Sequence, residues 1–587
     1  MRWYIAESKK RIESVNFEGH SDRIEMSGEL VSGVITYGVR EGEPYYKRQF
    51  AFPDIRIQPN NTHGTYQPEC NENPVSFEEK EVFERVEFDG VLSVFFRAGG
   101  LRIVRRFFPS VDKPIFYEQI ELINDAKKDA FPKWETYKKL QLKLACEGYV
   151  YFERSCDTPC RSIGAGEKIT LVFAYTARFA NEEIPQESTP LSNRRRRVGE
   201  LLNQCDATTG NEIVDTMFSF AKLRAAEGLC NTPKGIIHNP GGLAYYAGIW
   251  CNDQCEYVAP WFAFTSDKSQ AEAIKNIYGW LYPYFNDEYL PIPNSIICGG
   301  KDNFGGAGDR GDAEMYLYGF SRVLLTQGKL PDENQRKALD WCVEYIRRNI
   351  TADGVVFSDS DELENRISSG VNLNTSALAY GGLGNYSVLL KRAGKVDEAL
   401  KITAMQTALG EAIESYFGGE VSGYKTYHYH KGCNVIRAWN CLPVYMGITN
   451  RAKETLDSID EKLWSDGGCR STEGEKILWD RSALYYIMAL FRAGEKEKAW
   501  TRLKEYSEIR LLGDHVPYAV EAYPEGDMRH LSAESGLFCR VFTDGILNID
   551  FDENGYTLNA QLPEEVERVT VKNIYLNGKK ENLNVTR

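Results

Sequence analysis

The sequence predicts a multidomain α and β chain: an N-terminal β-sandwich, then an (α/α)6 toroid of six helical hairpins, then a short C-terminal β segment. Three observations predict it. Up to about residue 190, short apolar runs alternate with turn residues, the texture of a sandwich. From about residue 211, apolar residues recur with helical period over twelve segments, as amphipathic helices require. The connections between those segments alternate between minimal turns and long loops. Twelve helices paired into hairpins and closed into a ring would gather all the long loops on one face.

The β-sandwich is expected over 1–190, with strands at runs such as Val91–Phe96, Leu101–Phe108, Ile115–Leu122 and Ile169–Tyr175. A linker helix is expected over 191–210. It carries the run Arg194-Arg195-Arg196-Arg197, read as a solvated face because the chain as a whole is acidic. The barrel, 211–545, is expected to hold helices near 211–229, 253–265, 268–286, 309–327, 332–350, 373–393, 396–417, 434–447, 451–463, 480–493, 496–510 and 533–545. Gly328-Lys329-Leu330-Pro331, Ala393-Gly394-Lys395 and Ala493-Gly494-Glu495 are helix stops, with Gly or Pro where a C-terminus needs them. The long connections fall near 230–252, 287–308, 351–372, 418–433, 464–479 and 511–532, and loops on a rigid scaffold are where chemistry concentrates. Residues 546–587 return to short β-like pieces, expected as a cap packing on the first domain.

Composition narrows the function. Apolar residues make up 42% of the 587-residue chain, enough for a large core. A net charge of −14 argues against nucleic acid as a partner, since a phosphate backbone selects basic surfaces. No run of 18 apolar residues occurs, so no membrane span is expected. The start, MRWYIAESKK, lacks the apolar core of a signal peptide. The 14 cysteines are scattered, as free thiols are in a reducing compartment. The expected location is the cytoplasm. Oligomeric state is not legible.

The stretch Leu511–Gly536 is much longer than a helix–helix connection needs and holds Asp514, Glu521, Glu525, Asp527 and Glu534 with His515, Arg529 and His530. A second acidic group, Asp359, Asp361 and Glu362, lies in the loop near 351–372. Glycoside cleavage needs one protonated carboxyl against the leaving oxygen and one carboxylate opposite it. Crowded carboxylates raise one another's pKa, which helps keep one protonated.

Architecture and local motifs together resemble the six-hairpin glycosidase superfamily and its phosphorylase relatives. The residues that carry the resemblance are Gly248–Asp253 opening the second helix, Gly308–Asp312 opening the fourth, Leu478–Arg481 opening the tenth and Ala533–Leu537 opening the twelfth. The resemblance implies a general acid from the loop between helices five and six and a base from the loop between eleven and twelve. Glu362 is therefore expected as the acid with Asp361 in reserve, and Glu521 or Glu525 as the base, ranked almost equally. Glu534 is expected as a carboxylate stabilised by a helix N-terminus. Substrate binding is expected from Trp250, Asp253, Glu256, Asp309, Asp312, Arg366, Trp439, Trp479, Asp480, Arg481, Arg529 and His530. One of Asn252 and Asp253, and one of Asp309 and Asp312, should cap a helix.

Arg310, Arg366, Arg437, Arg481 and Arg529 gather on the same face. Any of them left unpaired would fit a uronate carboxylate. Tyr427-His428-Tyr429-His430 with Cys433 is too sparse for a metal site, and no phosphate loop or dinucleotide fingerprint occurs. Neither metal nor cofactor is expected. The activity expected is that of a glycoside hydrolase, exo-acting and inverting, acting on an oligosaccharide or glycoside, with uronic-acid glycans a live substrate class. Alternatives are a polysaccharide lyase using Tyr427, His428 or His515, a glycoside phosphorylase, or a carbohydrate-binding protein without catalysis.

Overall fold

The computed structural model describes residues 3–4, 21–40, 43–57, 64–242, 247–297, 308–363, 370–512, 517–523 and 532–587. The N-terminal part is β-rich. An eight-stranded antiparallel sheet runs in the order Trp3–Tyr4, Glu81–Phe88, Leu92–Ala98, Leu101–Pro109, Ile115–Asn124, Lys168–Phe179, Gly148–Ser155, Tyr137–Ala145. A five-stranded sheet contains Ser21–Ser27, Ser32–Arg40 and Glu43–Arg56, with the short strands Thr65–Tyr66 and Glu69–Cys70 both on the last of these. The two sheets meet through aromatic side chains. Phe50 packs 5.3 Å from Phe116, 5.4 Å from Phe152 and 5.2 Å from Tyr175, contacts that add to the area these rings bury.

Thirteen α-helices follow among the described residues: α1 (Pro190–Leu202), α2 (Glu212–Glu227), α3 (Ala259–Phe262), α4 (Lys268–Gly279), α5 (Asp312–Gln327), α6 (Glu333–Asn349), α7 (Leu373–Arg392), α8 (Val396–Phe417), α9 (Leu442–Tyr445), α10 (Ala452–Lys462), α11 (Asp480–Arg492), α12 (Lys496–Leu512) and α13 (Ala533–Arg540). Their starts obey capping chemistry. Asn211 accepts from the amides of Ile213 and Val214, Asp267 from those of Ser269 and Gln270, and Asp332 forms a capping box with Gln335, each filling amides that a helix start leaves open. The segment Cys251–Phe262 packs on α5, α5 on α7, α7 on α9, α9 on α11, α11 on α13, and α13 back on Cys251–Val258.

Cys251–Val258 is a π-helical turn leading into α3. Wide turns of this kind are rare and are frequent at functional sites. Gly319 of α5 lies against it, and a Cβ there would overlap the Cys255 carbonyl oxygen. Only glycine lets α5 come that close.

Several expectations are corrected. The helix expected at 268–286 ends at Gly279, and Pro283 lies in a separate 3-10 turn, Tyr282–Tyr284. The helix expected at 434–447 is reduced to a 3-10 turn, Ala438–Cys441, and the single turn α9, in which Pro443 contributes no amide hydrogen. The arginine run is not simply a solvated face. Arg194 is buried, donates to the carbonyls of Gly90 and Ser27 and pairs with Glu227, while Arg197 reaches Asp267 at 2.6 Å. These bonds tie α1 to both the strands and α2. Among the described residues, the hydrogen bonds of the C-terminal strands run to the segment after α1 and to the helices. Arg568–Leu576 pairs with Asp206–Thr208 just after α1, and the amides of Tyr575 and Asn577 donate to the carbonyls of Phe264 and Thr326.

The described cysteines are free thiols, and no described helix is long and apolar enough to cross a membrane.

Candidate active site

Buried carboxylates and tyrosines converge where the loop before α7 meets the π turn and the N-termini of α11 and α13. Glu362 is almost wholly buried. Its Oε2 accepts the Tyr257 hydroxyl at 2.5 Å, and its Oε1 has no partner among the described residues. Burial, with Glu256 adding like charge, pushes this carboxyl well above the ordinary range, against the opposing pull of Arg481 and Tyr257. Asp361 beside it is engaged at both oxygens, by the Tyr429 hydroxyl at 2.7 Å and the Leu363 amide at 3.0 Å.

The π turn carries Asp253 and Glu256. Glu256 accepts from the Tyr485 hydroxyl while its Oε2 has no partner, and burial raises it to about 7. Asp253 accepts from Asn252 at 3.0 Å and lies 3.7 Å from Arg481, and burial raises it to about 8. Neither Asn252 nor Asp253 caps this helix, whose cap position is Trp250 without a side-chain bond. That expectation is corrected. The Trp250 amide is instead taken by the Gln254 side chain at 2.5 Å.

Arg481, the second residue of α11, is the hub. It binds Glu534 through Nε at 3.0 Å and Nη2 at 2.5 Å, and approaches Glu521 at 3.4 Å. Glu534, in the first turn of α13, is fully buried with Oε2 unpartnered; it is an ion-pair partner as well as a helix N-terminal carboxylate. Glu521 is different, because its side chain keeps 24% of its exposure. Asp480, the first residue of α11, is buried and engaged by protein groups. It accepts from Tyr506 and the Val520 amide, both at 2.8 Å, and pairs with Arg510. Its own amide donates to the Glu521 carbonyl at 3.1 Å, so Asp480 fastens the segment that carries Glu521.

The Asp309–Asp312 group is likewise engaged. Asp309 accepts from Tyr345 at 2.6 Å and from the Gly311 amide, and burial raises it to about 6. Asp312 binds Arg310 at 3.0 Å and Asn294 at 2.5 Å. The cap of α5 is Gly311, at φ 84°, so neither aspartate takes the cap position expected for one of them. Deeper in α5, Glu314 is buried with both oxygens unpartnered, and burial pushes it well above the carboxylate range.

Among the expected aromatic contacts, Trp439 is buried with its indole nitrogen unpartnered and its ring 5.8 Å from Tyr485. Trp479 lies under the Arg481 guanidinium at 5.8 Å, and Trp250 is buried. Glu525, Arg366, Arg529, His530 and His515 lie outside the described residues. Tyr427 bonds Glu414 of α8, and His428 bonds the Cys433 carbonyl within its own loop. Sequence reasoning missed Tyr257, Tyr429 and Tyr485, the hydroxyl donors to Glu362, Asp361 and Glu256. Adjacency of Tyr257 to Glu256 was the one signal for them.

No protein-family model matches the sequence, and no curated protein matches it. Solved structures do. A human-microbiome protein assigned as a kojibiose phosphorylase aligns at a TM-score of 0.60 and 9% identity, over 96% of this chain and 92% of its own. A bacterial glucoamylase complexed with acarbose aligns at 0.51 and 10% identity, over 88% of this chain and 93% of its own. The chain shares its overall fold with these two proteins. At these identities the likeness is one of fold, and the chemistry has to be argued from the side chains.

Proposed function

We propose that the protein is a glycoside hydrolase with Glu362 as general acid and Glu521 as general base. The observation that carries the proposal is the asymmetry of Glu362: one oxygen is held by Tyr257, the other is buried without a partner among the described residues, and burial pushes the carboxyl well above the ordinary range. Asp361, with both oxygens engaged, is the weaker candidate for acid. Glu521 is the more exposed carboxylate at Arg481, and so open to a water in a way that fully buried Glu534 is not. Its competitor Glu525 lies outside the described residues.

In this reading Glu362 gives its proton to the glycosidic oxygen as the bond to the anomeric carbon breaks. Glu521 takes a proton from a water attacking the opposite face of that carbon, and exchange with solvent restores both. Inversion of this kind places the carboxyls roughly 6.5–9.5 Å apart. Exo action and inversion extend the fold resemblance to this chain. The same reading takes the chain as 1–190, 191–210, 211–545 and 546–587, with the packing succession from Cys251–Phe262 to α13 as the inner ring of an (α/α)6 toroid.

The test uses a panel of aryl glycosides. Glu362→Gln should lower turnover on the order of 10²–10⁴-fold while the protein stays folded, and near-normal turnover on a substrate that the wild type cleaves would sink the assignment.

A further inference from the structure

The arginines of the loop face are not equally occupied. Arg310 is bonded to Asp312, and Arg481 is shared by Glu534, Glu521 and Asp253. Arg366 and Arg529 lie outside the described residues. Arg437 stands apart. Among the described residues no carboxylate comes within ion-pair distance of it and its side chain makes no hydrogen bond, while its Nε is buried without a partner. Its guanidinium lies 4.9 Å over the ring of Tyr429, whose hydroxyl binds Asp361, the neighbour of Glu362.

We infer that Arg437 is a subsite for the carboxylate of an acidic sugar, so that the substrate class is a uronide. The inference rests on the proposed hydrolase site and names what that site takes.

The position is built rather than incidental. Arg437 forms a β-bridge with Thr472, the Ala438 amide donates to the Ser471 carbonyl at 2.9 Å, and Asn440 ties the following turn to the Tyr427 carbonyl at 2.8 Å. A buried guanidinium nitrogen without an acceptor is costly. The Tyr429 ring face offsets part of that cost, and a planar carboxylate gripped by two parallel N–H groups would offset the rest. The acidic surroundings do not forbid an anion. Burial pushes Glu362 well above the ordinary range and raises Glu256 and Asp253 to about 7 and 8, which weighs against full negative charge around the site. Inorganic phosphate is the other oxyanion with matching chemistry. As the nucleophile of an inverting phosphorolysis it would have to sit across the sugar from the proton donor, whereas Arg437 is joined through Tyr429 and Asp361 to the donor's own side.

The experiment compares wild type, Arg437→Met and Arg437→Lys on both anomers of aryl glucuronides and galacturonides and on the matching glucosides and galactosides, with and without inorganic phosphate. The expected result is uronide turnover well above hexoside turnover. Arg437→Met should lose about 10–100-fold in uronide kcat/KM, the worth of one or two charged hydrogen bonds, at least about ten-fold more than it loses on hexosides. Arg437→Lys should recover part of it. Hexosides cleaved as well as uronides, equal losses on both, or phosphate-dependent release of a sugar 1-phosphate that Arg437→Met abolishes would each overturn the inference. If Glu362→Gln stays active or no glycoside is cleaved, the hydrolase reading fails separately. Calorimetric titration with free glucuronate, galacturonate, glucose and galactose then decides: uronate-selective binding lost in Arg437→Met upholds the subsite, and absence of uronate binding overturns it.

Discussion

Two buried glutamates, one in the strands and one among the helices, are handled in opposite ways. Glu118, in the eight-stranded sheet, has no exposure and receives Arg48 at 2.8 and 3.0 Å, Arg105 at 2.7 Å and Tyr175 at 2.9 Å. Burial alone would raise its pKa, but the two arginines hold it below the ordinary value. Glu362 is as deeply buried, yet it receives one tyrosine, keeps one oxygen bare and is pushed up. The first arrangement fixes a charge where it serves packing. The second leaves one oxygen bare and the carboxyl pushed up, the arrangement that the proposed acid role requires.

That contrast can be broken by substitution. The largest expected effect is on turnover: Glu362→Gln should remove roughly 10²–10⁴-fold and leave unfolding by denaturant close to wild type, since a neutral amide of the same shape avoids burying a charge. Glu118→Gln should do the reverse. Leaving Arg48 and Arg105 short of a counter-charge should cost about 3–5 kcal/mol in denaturant unfolding, with turnover per folded molecule unchanged. A Glu118 variant that lost activity while remaining stable would erase the distinction.

A smaller effect is expected at Asp480→Asn. This change weakens the grip on Val520 and on Arg510, at about 1–3 kcal/mol of stability, and should shift Glu521 enough to lower kcat by on the order of 10²-fold. Stopped kinetics beside a thermal melt would separate the two.

A further effect is with pH. Glu256 and Asp253 sit at about 7 and about 8 because burial penalises their charged forms. The folded chain therefore holds these protons more tightly than the unfolded chain. Their contribution to stability is complete below the ordinary carboxylate pKa and is lost as pH rises through about 7 and 8. Tm should fall between about pH 5 and about pH 9, and Glu256→Gln should flatten that slope.

Much of the helical part was readable because its signals are local. The helix expected at 396–417 is α8, Val396–Phe417, bounded by Gly394 and the strand that starts at Gly418. The failures share a cause as well. At 434–447 and 268–286 the apolar period runs on, but a proline interrupts the hydrogen-bond ladder and turns of 3-10 helix replace the α-helix. Within the site, the two acidic loops could be read from loop length and charge. The partners could not. With 34 tyrosines in the chain, nothing local marks Tyr257, Tyr429 or Tyr485 as carboxylate donors, because those bonds cross 105, 68 and 229 positions of sequence. The same long range hid which of the described arginines lacks a carboxylate. It also hid that Asp480, expected at the substrate, braces the loop that carries Glu521.

The most direct test follows the first-formed sugar by proton NMR, with wild type and Glu362→Gln on the same aryl glycoside panel in deuterated buffer. The account predicts a free reducing sugar that appears first with the anomeric configuration opposite to the substrate, and no appreciable product from Glu362→Gln. Retained configuration, a sugar 1-phosphate, an unsaturated uronate, or undiminished product from Glu362→Gln would contradict it.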